Sequence, residues 1–154
     1  MTTNYTSESK KRNGEHILIN MTYVAKNIGL DSGVELTRAL EYWRRYFEDN
    51  RIVSALVISE DYFVQSFQGT RPAINTALKE ILDKHSVISP NIVNIYEIES
   101  RQWNGFLVKH LTSHAEDEDY ALKSFSAGSD YNPYLMTSTQ IESFLTAVFG
   151  DSKF

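Results

Sequence analysis

The sequence contains no cysteine. That excludes disulfides, thiolate metal sites and cysteine nucleophiles, and it agrees with a reducing compartment. Three prolines and seven glycines in 154 residues are too few for a collagen-like or low-complexity chain. No apolar run approaches the ~20 residues that span a bilayer. The opening MTTNYTSESKKRNGEH has no apolar stretch after its basic residues, so it lacks the form of a secretory signal. A cytoplasmic protein with no membrane partner is the expectation. Positive charge is also scarce. Fifteen Lys and Arg against twenty Asp and Glu give a net charge of −5, which opposes the phosphate neutralisation that nonspecific nucleic-acid binding needs. Lys10-Lys11-Arg12 is a short basic patch, and the sequons at Asn4 and Asn20 read as chance matches. There is no Gly-rich phosphate loop, HExxH helix or G-x-S-x-G elbow.

What is present suits one hydrophobic core: 42% apolar and 23% charged residues. After a polar tail over 1–14, HILINMTYVA (16–25) reads as a strand with Ile17, Ile19, Met21 and Tyr23 on one face. Ser32-Gly33-Val34-Glu35 matches a capping box. Leu36, Leu40, Trp43 and Phe47 then form one helical stripe through about Asn50. IVSALVI (52–58) suits a central strand buried on both faces. Ser59-Glu60-Asp61 turns into YFVQSFQ, whose alternation sets Phe63, Gln65 and Phe67 on one face. Gly69 ends that strand, and Thr70 and Pro72 open a helix with Ala73, Ile74, Ala77, Leu78, Ile81 and Leu82 as its apolar side. Asn91–Ile98 and Phe106–Leu111 read as strands.

This order predicts an α+β fold: a ferredoxin-like βαββαβ sheet with an extra fifth strand and two helices on one face. C-terminal helices would cover the other face. Asp117–Phe125 is expected as a short helix and Ser126–Pro133 as a loop. Thr137, with Gln140 at the box position, caps a last helix carrying Ile141, Phe144, Leu145, Val148 and Phe149 up to Gly150. The divisions are a disordered tail over 1–14, a core domain over 15–112 and a helical extension over 113–154.

Chemistry-bearing clusters are few. His110 and His114 are four apart, before Glu116-Asp117-Glu118-Asp119, but the pair straddles a strand end, where a solvated loop is the plainer reading than a metal site. Asp83, His85 and Ser86 fall at a helix end and make no triad, so His85 reads as an imidazole near the negative end of the helix dipole. No catalytic residue and no metal ligand is assigned, and the chain is not expected to be an enzyme. The βαββαβ plan also hosts small hydrolases, but the arginine-rich phosphate cradle such an enzyme needs is missing. Gln65 is more informative. A primary amide on an otherwise apolar row must be satisfied by a ligand, a water or a core partner such as Asn20 or Tyr23, because leaving it unpaired costs about 1–3 kcal/mol.

From about Ile52 to Leu111, and more loosely from His16 onward, the pattern resembles the BLUF family of blue-light flavin sensors. The resemblance rests on Phe63-Val64-Gln65-Ser66-Phe67-Gln68-Gly69, then Ile81-Leu82-Asp83-Lys84-His85, then Arg101-Gln102-Trp103-Asn104-Gly105-Phe106-Leu107-Val108. It implies a flavin between the two helices, and light that rearranges hydrogen bonds among a tyrosine, the strand glutamine and the flavin. Carried over by position, the glutamine is Gln65, and the first-strand tyrosine falls near Asn20 or Met21, with Tyr23 two or three residues on. The ring-binding asparagine falls on Phe47, and an expected arginine on Glu80. An Arg-His pair falls on Ser86 and Val87, and the switching Trp and Met fall on Phe106 and Val108. Phe47 offers the ring edge no hydrogen bond, and Glu80 brings negative charge toward the phosphates. The resemblance therefore implies a regulatory module that acts through protein–protein contacts, as a homo-oligomer with an unidentified partner, and binds no cofactor. The alternative is a working FAD photoreceptor. Tyr131 and Tyr134 are either exposed anchors for a partner or packing for the tail loop, the second being the plainer reading.

Overall fold

The computed structural model describes residues 13–28, 33–125 and 130–150. The basic patch at 10–12, the sequon at Asn4, the Ser32 cap and residues 126–129 of the tail loop lie outside them. The elements are β1 (Leu18–Lys26), α1 (Gly33–Asp49), β2 (Val53–Ile58), β3 (Tyr62–Thr70), α2 (Arg71–Lys84), β4 (Asn91–Ile98), β5 (Phe106–His110) and α3 (Ser138–Phe149). They build one mixed sheet in the order β4-β1-β3-β2-β5. β1 pairs antiparallel with β3 and β4, β3 pairs antiparallel with β2, and β5 adds parallel to β2. The fold is α+β and ferredoxin-like with a fifth strand, as the element order requires.

Strand alternation divides the core into two layers. Ile19, Met21, Tyr23, Leu56, Ile58, Phe63 and Phe67 face α1 and α2, where Trp43, Phe47, Ile74, Ala77 and Ile81 meet them. Val24, Ala55, Val57 and Val64 face the other way, under Ile141, Phe144, Leu145, Val148 and Phe149 of α3. β2 and β3 are thus buried on both faces, which explains their near-continuous apolar character.

Local chemistry fixes the helix ends. Thr70 caps α2 by accepting from the Ala73 N–H, with Pro72 in the first turn. Thr137 and Gln140 form a reciprocal capping box on α3. Gly69 sits where β3 passes into α2, and a Cβ there would lie 3.2 Å from Ile52 Cγ1 and 3.4 Å from Ile74 Cδ1, a tight fit that would make those side chains shift by a few tenths of an ångström. Gly105 takes φ +102 in the turn before β5, a conformation side chains resist, and its carbonyl accepts from the Ser54 N–H at 2.9 Å.

The tail departs from expectation in two places. Asp117–Phe125 is not a helix but two 3-10 turns, Glu118–Tyr120 and Leu122–Phe125. The Thr112 N–H donates to the Tyr120 carbonyl and the Leu122 N–H to the Thr112 carbonyl, tying the segment to the end of β5 in place of an i→i−4 ladder. Tyr131 and Tyr134 are not exposed anchors. Both rings pack against Tyr62, and the Tyr134 hydroxyl donates to the Ser89 carbonyl at 2.8 Å. The Asn20 sequon is buried within the sheet. Among the described residues no helix is long and apolar enough to cross a membrane, and no group of three His, Asp or Glu is placed to hold a metal ion.

If α3 covers the second face as part of the cooperative fold, Ile141→Ala, which empties a fully buried position, lowers unfolding stability by about 2–5 kcal/mol in urea denaturation. A loss under about 0.5 kcal/mol would mean that the helix is only loosely docked.

Candidate functional site

Tyr23 and Gln65 are direct register partners across β1 and β3, so the alternation that turns Met21 and Phe67 toward the helices turns both of them there too. The Tyr23 hydroxyl donates to Gln65 Oε1 at 2.6 Å, and Gln65 Nε2 donates to Ser54 Oγ on β2 at 3.4 Å. All three side chains are buried, and the chain of bonds crosses three neighbouring strands. The first bond lies at the short end of the O–H···O range. Burial holds the Tyr23 hydroxyl far above the ordinary phenol range, so it stays a protonated donor.

Above this row lies a cleft between α1, α2 and the sheet. It is lined by Leu36, Leu40, Trp43, Ile81, His85 and Phe106 together with Tyr23 and Gln65. Its volume is about 50 Å³, room for one or two waters at ~30 Å³ each and well below the ~300–1,000 Å³ of ordinary ligand pockets. Two lining groups also bond each other from helix to helix: Trp43 Nε1 donates to His85 Nε2 at 2.9 Å. That bond requires an unprotonated Nε2. Partial burial, with the adjacent Lys84 charge second, lowers the imidazole pKa and keeps it so.

Sequence reasoning and structure meet unevenly here. Gln65 faces the helices as its strand parity requires. Tyr23, rather than Asn20 or Met21, is the first-strand residue directly opposite it. Asn20 has the opposite parity and turns its amide toward α3, where it bonds Ser66 and Gln68, so it takes no part in the cleft. Phe47 is fully buried, stacked on Phe67 at 5.5 Å and edge-on to Phe106 at 5.6 Å. Phe106 lines the cleft, whereas Val108 packs against the core beside it. Glu80 does not line the cleft. It stands near Tyr46, whose hydroxyl is raised by burial first and by the Glu80 charge second. Ser86 and Val87 lie exposed in the 3-10 turn after α2. Ser54 and the Trp43–His85 bridge went unassigned in the sequence. Ser54 is the one hydroxyl in IVSALVI, and a buried indole N–H always needs an acceptor.

Neither a protein-family model nor a curated protein sequence matches the chain. Solved structures do. BlsA in its photo-activated state superposes with a TM-score of 0.69 at 14% identity, over 89% of this chain and 98% of that one. The dark-state structure of BlrB, a BLUF protein, gives 0.63 at 13% identity over 89% and 98%. The fold is that of BLUF proteins. The chain spans nearly the whole of these short BLUF chains but only about a third of longer ones: it covers 30% of a bacterial light-regulated adenylyl cyclase (TM-score 0.57, 18% identity) and 34% of BlrP1 from Klebsiella pneumoniae (TM-score 0.60, 17% identity). Within that fold, Tyr23 and Gln65 of this chain lie under α1 and α2 on one face of the sheet.

Gln65→Leu strands the buried Tyr23 hydroxyl and is expected to cost about 1–3 kcal/mol. Adding Tyr23→Phe removes the orphan, so the pair should cost less than the sum of the single changes. A denaturation double-mutant cycle reads this coupling, and strict additivity would show that the bond contributes nothing. His85 sets a pH dependence. Its proton affinity is lower in the folded protein than the 6.5 of the free side chain. The unfolded chain therefore takes up the proton first, and stability, complete above pH 6.5, declines as pH falls through that value toward the lowered folded one. His85→Gln, whose Oε1 accepts from Trp43 at any pH, should flatten this part of the pH–stability curve. An unchanged slope would dissociate it from His85.

Proposed function

We propose that this chain is a BLUF-type signalling module that acts through contacts with other protein chains and in which flavin binding is lost or weakened. The observation that carries the reading is the packing of Phe47. A ring with no hydrogen-bonding group fills the space between α1 and the sheet, resting on Phe67 and Phe106. The cleft left beside Gln65 has about 50 Å³, and a tricyclic ring needs several times that. The Trp43–His85 bond further ties α1 to α2 at the same cleft. Each hydrogen bond a polar ligand leaves unmet costs about 1–3 kcal/mol, and a few such losses outweigh most of the ~8 kcal/mol of a micromolar complex.

The interaction half of the reading is supported by β4. It is an edge strand, paired on one side to β1, and it leaves Ile92 and Ile95 about half exposed, at 51% and 52%. An apolar edge of this kind is a ready template for another chain. Residues 15–112 would then be the sensing core and 113–154 the cover through which it reports. A homo-oligomer is the simplest form of such an assembly.

One observation favours a second reading, a functional FAD photoreceptor: the Tyr23–Gln65 hydrogen bond at 2.6 Å is the pair that light rearranges in the family this chain resembles. A structure of BlrP1 holds FMN. In this reading Phe47 and Trp43 would have to move to admit the ring.

A single preparation separates the two. On the first reading the purified protein is colourless, leaves the fluorescence of added FAD unquenched, and elutes in light scattering at a multiple of its 17.7 kDa chain mass. A yellow protein whose visible band shifts under blue light would overturn the flavin half. A strict monomer that retains no partner would overturn the interaction half.

A further inference from the structure

We propose that the α3 side of the sheet carries a second binding site, for a small protonated amine bearing a hydroxyl group, held between Glu142, Tyr96, Trp103 and Thr22. A cavity of about 160 Å³ lies there, between the back of β1, β3 and β4, the connection from β4 to β5 and the middle of α3. It is three times the volume of the cleft beside Gln65 and equals the share of roughly five waters.

Its floor is polar where an apolar one would pack a helix better. Asn20, Thr22 and Ser66 are buried there, each at most 3% exposed. The Asn20 amide is saturated: Oδ1 accepts from Ser66 Oγ at 2.8 Å and Gln68 Nε2 at 3.0 Å, while Nδ2 donates to Thr22 Oγ1 at 3.2 Å and Asn94 Oδ1 at 3.1 Å. Asn20 is therefore scaffolding, and its bonds hold the floor in shape. Ser66 donates to Asn20 and accepts from Trp103 Nε1 at 3.0 Å, so its main bonding capacity is used as well. Thr22 only accepts from Asn20 and keeps its own proton to donate to a guest.

The rim gives the cavity its chemical sense. Glu142 of α3 is the one acidic side chain in the lining. Its Oε1 accepts from Asn94 Nδ2 at 3.1 Å, and the Tyr96 hydroxyl also bonds it; burial first and this carboxylate second push the Tyr96 hydroxyl up. A carboxylate offers about four acceptor positions, so lone pairs remain. A negative rim with two aromatic rings beside it attracts an ammonium and repels an anion. A guest of this volume has few atoms. An ammonium at Glu142 and a hydroxyl accepting from Thr22 would engage one group on each side of the cavity. Because the floor belongs to the sheet and the carboxylate to α3, an occupied site would fasten the helix to the sheet. The inference is independent of flavin binding, since the site lies on the opposite face from Tyr23 and Gln65.

Ethanolamine, glycerol and acetate serve as cationic, neutral and anionic probes, titrated into the intact chain while the Trp103 indole N–H is followed by heteronuclear NMR. Ethanolamine is expected to shift that signal saturably below about 100 mM, as suits so small a ligand, and acetate to leave it unmoved. Glu142→Gln, at an exposed helix position, should weaken the ethanolamine titration about tenfold through loss of a charge-assisted bond. Thr22→Val, which keeps the side-chain shape, should weaken it several-fold. Absence of saturation overturns the site. Equal binding of glycerol, or no effect of Glu142→Gln, overturns its cationic class.

Discussion

The structure depends on β3 being buried on both faces, because that leaves its polar side chains nowhere to go except to partners on the neighbouring elements. Gln65 points to one layer and Ser66 and Gln68 to the other, and each must find its partners inside the protein. Gln65 takes the Tyr23 hydroxyl, while Ser66 and Gln68 take the Asn20 amide. A slip of one residue between β1 and β3 would exchange the two faces of β1. It would set Asn20 against the aromatic layer and Tyr23 against α3, leaving orphaned polar groups on both sides. The buried amides thus fix the register that the apolar residues alone, present on both faces, would specify only weakly.

Much of this was legible in the sequence. The 2-residue alternation of YFVQSFQ placed Gln65 toward the helices, and the 3.6-residue stripe of Leu36, Leu40, Trp43 and Phe47 placed α1 above it. Thr137 and Gln140 announced α3 through a motif whose chemistry is entirely local, and such motifs survive in any context. The alternation that puts Ile17, Ile19, Met21 and Tyr23 on one face excludes Asn20 from it, and Asn20 indeed turns to the α3 side. Parity is a physical constraint, whereas alignment across a loosely matching strand is a count of residues.

What was not legible is tertiary pairing without a local signature. The spacing of Trp43 shows that it is buried, but nothing near it in the chain names His85 as the acceptor of its N–H, because the pair is 42 residues apart and joined only by the packing of α1 on α2. The 3-10 turns of 118–125 have the same origin. An acidic start followed by Leu122 and Phe125 suits a helix, and bonds to Thr112 at the end of β5 win instead. Ser54, a small hydroxyl in an apolar run, gains significance only once β2 is laid beside β3.

The two layers meet in adjacent residues of one strand. Gln65 and Ser66 share a peptide, so a displacement of β3 felt at Tyr23 is felt also at Asn20 and Trp103. The Gln65 amide sits at that junction, within a row of hydrogen bonds that crosses three neighbouring strands. Its oxygen accepts from Tyr23 and its nitrogen donates toward Ser54. Both partners are hydroxyls, which donate or accept equally well. Turned end for end, however, the amide would set its nitrogen against the Tyr23 hydroxyl, and the buried phenol proton would lose its acceptor. Phe63 and Phe67, flanking the amide on the same row, and the narrow cleft above it hold the side chain in the orientation that satisfies Tyr23.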